Sequence, residues 1–117
     1  MLHESPIWPA QLDHFRIDAP DPSSLAEFYC KAIGYEISLL ENGDLFLQGQ
    51  GRRLIIGKGE THKRPYHAFR LQSRQQLDEV RSFLQAQGIN CLENPSPLFE
   101  RDSLAVVDPD GWVSVFG

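Results

Sequence analysis

The sequence predicts an α+β domain in which a β-α-β-β-β unit occurs twice. Three observations lead there. Strand-like alternation at residues 12–17 returns at 66–71. Each alternating run is followed by a helix pattern with one apolar stripe that stops at a glycine. Each helix is then followed by three short strand patterns separated by turn residues. Residue identity between the halves is weak, and the order of elements is what repeats.

Taken in order, residues 1–11 carry Pro6 and Pro9 without any period and read as an N-terminal arm, with Trp8 as its anchor. Residues 12–57 form the first module. Leu12, His14 and Arg16 alternate with Asp13, Phe15 and Ile17. Asp21 is placed as an N-cap, Pro22 at the first helical position and Gly34 as the stop, with Leu25, Phe28, Tyr29, Ala32 and Ile33 as the stripe. Strands follow at 35–40, 44–48 and 54–56, with Asn42-Gly43 as a turn. The polar segment 58–65 is a linker, and its His62, Lys63 and Arg64 read as a solvated basic patch. Residues 66–117 are the second module. Ser73 and Gln76 give a capping-box pattern, and Leu77, Val80, Phe83 and Leu84 a stripe ending before Gly88. Strands are expected at 89–92, 104–107 and 113–116, with DPDG at 108–111 as the last turn. Trp112, directly after that turn, suits a subunit interface or the core equally.

Composition narrows the function. A chain of 117 residues is enough for one core, and its 41% hydrophobic and 23% charged residues are those of a globular protein. No apolar run approaches the roughly 20 residues of a membrane span. The first residues lack a basic stretch followed by an apolar one, so the expected location is the cytoplasm. Cys30 and Cys91 match no paired zinc or redox spacing and read as reduced thiols. A net charge of -5 argues against a nucleic-acid surface. GQGRR and GKGE match neither a dinucleotide fingerprint nor a phosphate loop.

A striped helix must cover an apolar sheet face, which settles where the strand side chains point. Phe15, Ile17, Phe69 and Leu71 suit the covered face. His14 and Arg16, and Tyr66, Ala68 and Arg70, then face the other way. Arginines on such a face either pair with internal carboxylates such as Asp18 or receive an anionic ligand, for which a guanidinium fork is suited.

The stretches LDHFRIDAPDPSSLAEFYCKAIGYE, YHAFRLQSRQQLDEVRSFLQAQGI and LAVVDPDGWVSVFG cover a little over half of the chain. On these the protein resembles the vicinal oxygen chelate superfamily of glyoxalases, bleomycin resistance proteins and extradiol dioxygenases, in particular its short glyoxalase-like branch. The resemblance implies paired βαβββ modules with curved mixed sheets around a central cavity, helices on the outer face, and a homodimer. It also implies where a metal would be held. The first-strand ligand of module one falls on His14, that of module two on Tyr66, the last-strand carboxylate on Val115, and its module-one counterpart on about Ile55. His67 is one place away from the second position and points to the opposite face unless a bulge turns it inward.

One imidazole, a phenol and two aliphatic side chains do not make the three or four N or O donors of a divalent site. The expectation is therefore no metal and no other cofactor, unless His67, Glu93 or Glu100 reaches in. The cavity is expected to be lined by His14, Arg16, Tyr66 and Arg70, with His14 a relic or an acid/base, and to bind a small carboxylate or phosphate. No nucleic acid and no membrane are expected as partners. Two alternatives stay open: a metal-dependent lyase or dioxygenase with a rearranged site, and a metal-independent enzyme using His14.

Overall fold

The structure is a computed structural model that describes residues 5–60 and 65–117. His62, Lys63 and Arg64 of the expected linker lie outside the described residues. The described residues are α+β, with two helices and eight strands in the order β-α-β-β-β, β-α-β-β-β. It divides into two compact units, Asp13–His67, and Ala68–Gly117 with the N-terminal segment that ends at Leu12.

The first unit holds β1 (Gln11–Ala19), α1 (Pro22–Ile33), β2 (Glu36–Leu39), β3 (Leu45–Gly49) and β4 (Arg52–Lys58). Its strands lie in the order β2-β3-β4-β1. The β2-β3 and β3-β4 pairs are antiparallel, whereas β1 runs parallel to β4 in the register Phe15↔Leu54 to Ala19↔Lys58. A parallel pair needs a crossover, and α1 lies within it, covering one sheet face. Buried Ala19, Ala26, Leu47, Leu54 and Ile56 form the core there, with Phe15, Ile17, Leu25 and Tyr29 packed around them. The helix stripe is narrower than its sequence suggests. Phe28, Ala32 and Ile33 are exposed, because Ala26, only 1% exposed, lets the helix approach on its Leu25–Ala26–Tyr29 side. The edge strand β2 is exposed throughout.

The caps of α1 follow its sequence. The Asp21 carboxylate accepts from the Ser24 N–H at 3.2 Å and the Ser24 hydroxyl at 2.7 Å. Gly34, at φ 92°, ends the helix in a left-handed conformation that disfavours a Cβ, and its N–H donates to the Tyr29 and Cys30 carbonyls. The Ser24 hydroxyl and backbone hold the Asp21 carboxyl below its ordinary value. A carboxyl depressed in the folded state stabilises above its unfolded pKa and loses that effect as pH falls through the folded one. The Tm difference between the parent protein and Asp21→Ala is therefore expected to be constant near neutrality and to shrink below about pH 4. Thermal melts across that range test this, and a difference that grows on acidification contradicts it.

The second unit holds most of β5 (Tyr66–Arg70), then α2 (Arg74–Ala86), β6 (Leu92–Glu93), β7 (Leu104–Val107) and β8 (Val113–Phe116), in the sheet order β5-β8-β7-β6. Leu71, Leu77, Val80, Leu84, Leu104 and Phe116 form its core, with Phe69 and Phe83 packed against them. Ser73 caps α2 by accepting from the Gln76 N–H at 3.1 Å. Gln76 answers one residue earlier than a capping box requires, accepting from the Gln72 N–H at 2.7 Å.

Two expectations are corrected here. Trp8 does not anchor the arm, being 67% exposed. Ile7 and Ala10 pack on the core instead, and the Gln76 amide donates to the Pro6 and Ile7 carbonyls. The strand expected at 89–92 starts only at Leu92, because the Ile89 N–H is spent on the Leu84 carbonyl in closing the helix. Trp112 is 48% exposed and so does not belong to the core of its unit.

Candidate functional site

The face of the first unit turned away from α1 is where the chemistry collects. By register, Arg16 of β1 stands opposite Ile55 of β4, and Ile55 opposite Phe46 of β3. His14, Arg53 and Gly57 follow by the period of two. His14 is 1% exposed, and its Nδ1 lies 2.6 Å from the Asp13 carboxylate. Arg53 Nη1 donates to both oxygens of that carboxylate, at 2.9 and 2.8 Å, while its guanidinium lies over the Phe46 ring at 5.4 Å. Tyr66, 3% exposed, sets its ring perpendicular to the imidazole at 6.1 Å.

Strict alternation assigns Asp13 to the opposite face from His14. The β1–β4 ladder begins at Phe15↔Leu54, so it does not hold Asp13 to that side, and the carboxylate reaches both His14 and Arg53. A carboxylate whose side chain is only 6% exposed requires such partners. Accepting from Nδ1 fixes the neutral imidazole as the Nδ1–H tautomer and directs its lone pair to Nε2, the arrangement of an oriented base.

Arg16 is held by carboxylates. Its Nε donates to Asp18 at 2.9 Å and its Nη1 to Asp44. Asp44 is in turn fixed by the Asn42 amide at 3.0 Å, within the turn that Asn42 and Gly43 make. Burial alone lowers the Arg16 pKa, but hydrogen bonds and charge from Asp18 and Asp44 outweigh it and the net shift is upward. The guanidinium lies directly over Gly57, where a Cβ would overlap it, and a Cβ at Gly59 would lie 2.7 Å from Asp18. Those two glycines belong to the GKGE segment. Their role is to leave room for an ion cluster, a close approach that only a missing side chain permits.

The structure thus brings His14 and Tyr66 together and places Arg16 two residues along β1 from His14. Arg70 belongs to the second unit, where it is exposed at the rim of a cavity. Asp13, Arg53 and Asp44 are the polar residues that sequence reasoning did not select. The adjacency of Asp13 to His14 and the surplus of carboxylates over candidate partners were the signals available. β5 alternates as expected, with Tyr66 and Ala68 buried and His67 sharing the period of Phe69. Glu93 and Glu100 are exposed.

Residues 11–116 match the model of the Glyoxalase/Bleomycin resistance protein/Dioxygenase superfamily. The chain belongs to that superfamily. No curated protein matches it. Among solved structures, this superfamily member is similar to the Mn(II)-bound glyoxalase from Novosphingobium aromaticivorans, with a TM-score of 0.75 and 19% identity over 90% of this chain and 36% of that one. It is also similar to the E323L mutant of homoprotocatechuate 2,3-dioxygenase from Brevibacterium fuscum, with a TM-score of 0.74 and 20% identity over 97% of this chain and 34% of that one. The chain therefore spans about a third of the length of these proteins, and the likeness is one of fold. Among the described residues no helix is long and apolar enough to cross a membrane.

Superfamily membership raises the question of a metal, and the donor set here does not fit one. Ile55 and Val115, which stand at two of the positions the resemblance assigns to ligands, are aliphatic and 0% exposed. His14 engages Asp13 through Nδ1, and Tyr66 contributes a phenol. Among the described residues no group of three or more His, Cys, Asp or Glu side chains is placed to hold an ion.

Proposed function

We propose that this glyoxalase-like protein binds a small molecule on the His14 face of its first unit and moves a proton on it through the Asp13–His14 pair, without a divalent metal. The observation that carries this reading is the 2.6 Å contact between His14 Nδ1 and a carboxylate that Arg53 braces. A fully buried imidazole needs a hydrogen-bond partner in any role, and what favours proton transfer here is that the partner is a carboxylate held in place by Arg53 rather than a neutral acceptor. Proton transfer by an oriented imidazole accelerates a reaction by about 10²–10⁴-fold. The face holds Asp13, Asp18 and Asp44 against Arg16 and Arg53, and each guanidinium already engages a carboxylate. That balance favours an uncharged ligand here and separates the anion expectation from Arg16. The same reading keeps the protein in the cytoplasm as a homodimer. The free thiols of Cys30 and Cys91, and the exposed Phe28, Ile33 and Leu39, support it.

Two measurements test the proposal. Small carbonyl compounds incubated with the protein in D2O are expected to take up deuterium beside the carbonyl, and His14→Gln is expected to abolish the uptake. Uptake that survives in His14→Gln removes His14 from the role. Elemental analysis of protein purified without chelator is expected to show less than stoichiometric metal, and one equivalent of Mn, Fe, Ni or Zn overturns the metal-free part.

A further inference from the structure

The second unit contains a cavity of about 340 Å³ beside the start of α2 and the 98–103 segment, within the size range of small-ligand sites. Its apolar lining comes from Leu71 and Leu77, which belong to the unit's core, and from Leu98 and Phe99. Arg70 and Arg74 supply positive charge at its rim. Ser103 also lines it. This serine is 5% exposed, and its hydroxyl makes no hydrogen bond to another described residue, its one bond being the backbone N–H to the Glu100 carbonyl at 3.0 Å. The hydroxyl keeps access to the cavity it lines, so it can donate to or accept from a molecule bound there. Here it faces a space large enough for a ligand.

From these features we propose that the cavity is a binding site for a small monocarboxylate with an apolar body of benzoate size. The apolar lining takes the body, and the Ser103 hydroxyl and the arginine rim take the carboxylate. The electrostatics of α2 act in the same direction. Its first turn carries no acidic side chain, so the partial positive charge of the helix N-terminus is not offset from within the helix. The acidic groups nearby are Asp102, which Arg74 engages, and Glu100, which is exposed. A ligand carboxylate competes with Asp102 for Arg74 and leaves it in solvent, 42% of its side chain being exposed already. Only residues of the second unit are used, so this site stands or falls apart from the His14 reading.

The test is a titration of the ¹⁵N-labelled protein with sodium benzoate and, separately, with uncharged benzamide. Benzoate is expected to give saturable amide shifts concentrated at residues 70–77 and 98–104. Loss of the charge-assisted bonds should make benzamide at least about tenfold weaker. Ser103→Ala and the exposed-site variant Arg70→Gln are each expected to weaken benzoate by about fivefold or more while leaving the ligand-free spectrum that of a folded protein. Arg70→Gln keeps the test valid should the core-adjacent serine variant misfold. Shifts that do not saturate, that fall on the first unit, or that are equal for benzoate and benzamide overturn the proposal. So does unchanged affinity in Arg70→Gln.

Discussion

Replacing Gly57 with alanine is expected to destabilise the protein by about 2 kcal/mol, a large effect for one methyl group on a strand. Strand positions ordinarily gain from losing a glycine. Here the added Cβ occupies the place of the Arg16 guanidinium and comes within 2.8 Å of an Asp44 oxygen. Arg16 is a flexible side chain and can move, but moving breaks its bonds to Asp18 and Asp44, which themselves are only 19% and 12% exposed. Hydrogen bonds to charged groups contribute about 1.5–3 kcal/mol each, and partial exposure brings this toward the lower end. Urea unfolding of four proteins separates the causes: the parent, Gly57→Ala, Arg16→Met and the double variant. If the guanidinium is what the methyl displaces, the glycine change costs only a few tenths of a kcal/mol once Arg16 is gone. Additive losses place the strain in the backbone and refute the account.

Asp13→Ala is expected to cost more, about 3 kcal/mol, because one carboxylate satisfies the buried His14 and the half-buried Arg53. Removing it leaves the Arg53 guanidinium, 25% exposed, without the counter-ion to which its Nη1 donates twice, and removes the acceptor for His14 Nδ1. Asp13→Asn keeps one oxygen and is expected to lose about half as much. The surface pair Lys31–Glu27, both side chains more than half exposed, gives the contrast: removing Glu27 is expected to leave the urea midpoint unchanged. The same Asp13 variants extend the functional reading. Asp13→Asn should cut deuterium uptake sharply while leaving ligand binding in place, since it frees the imidazole to adopt the other tautomer. Equal uptake in Asp13→Asn and the parent removes Asp13 from the chemistry.

What could be read beforehand was whatever local physics fixes. Asp21, Pro22 and Gly34 mark α1 because a cap, a missing N–H and a left-handed residue act within a few positions. β7 and β8 were legible to the residue because a tight turn separates two apolar runs. What stayed hidden depended on partners distant in sequence. The Arg16–Asp44 pair joins residues 28 apart and the Arg53–Asp13 pair residues 40 apart, and no pattern in a window of ten reports either. The width of the α1 stripe is hidden for a similar reason, since which of Leu25, Tyr29, Phe28 and Ile33 is covered depends on how closely Ala26 lets the helix approach. β6 begins later than its apolar pattern suggests because the chain after α2 uses Ile89 to finish a helix rather than begin a strand.

The parallel alignment of β1 with β4 also governs when the His14 face comes into being. The β2-β3 and β3-β4 pairs are joined by short turns and form from neighbouring residues, a fast process. Docking β1 on β4 must enclose everything between them, and contacts of such long range are the slow ones. The ion pairs of Asp13 and Arg16 with the β3 and β4 side therefore belong to the final stage of assembly. Substitutions among them should shorten the lifetime of the native state more than they delay its formation. A molecule that recognises His14 with its carboxylate in place recognises only chains that have completed this step, so the protein gains affinity for it abruptly, at the end of folding.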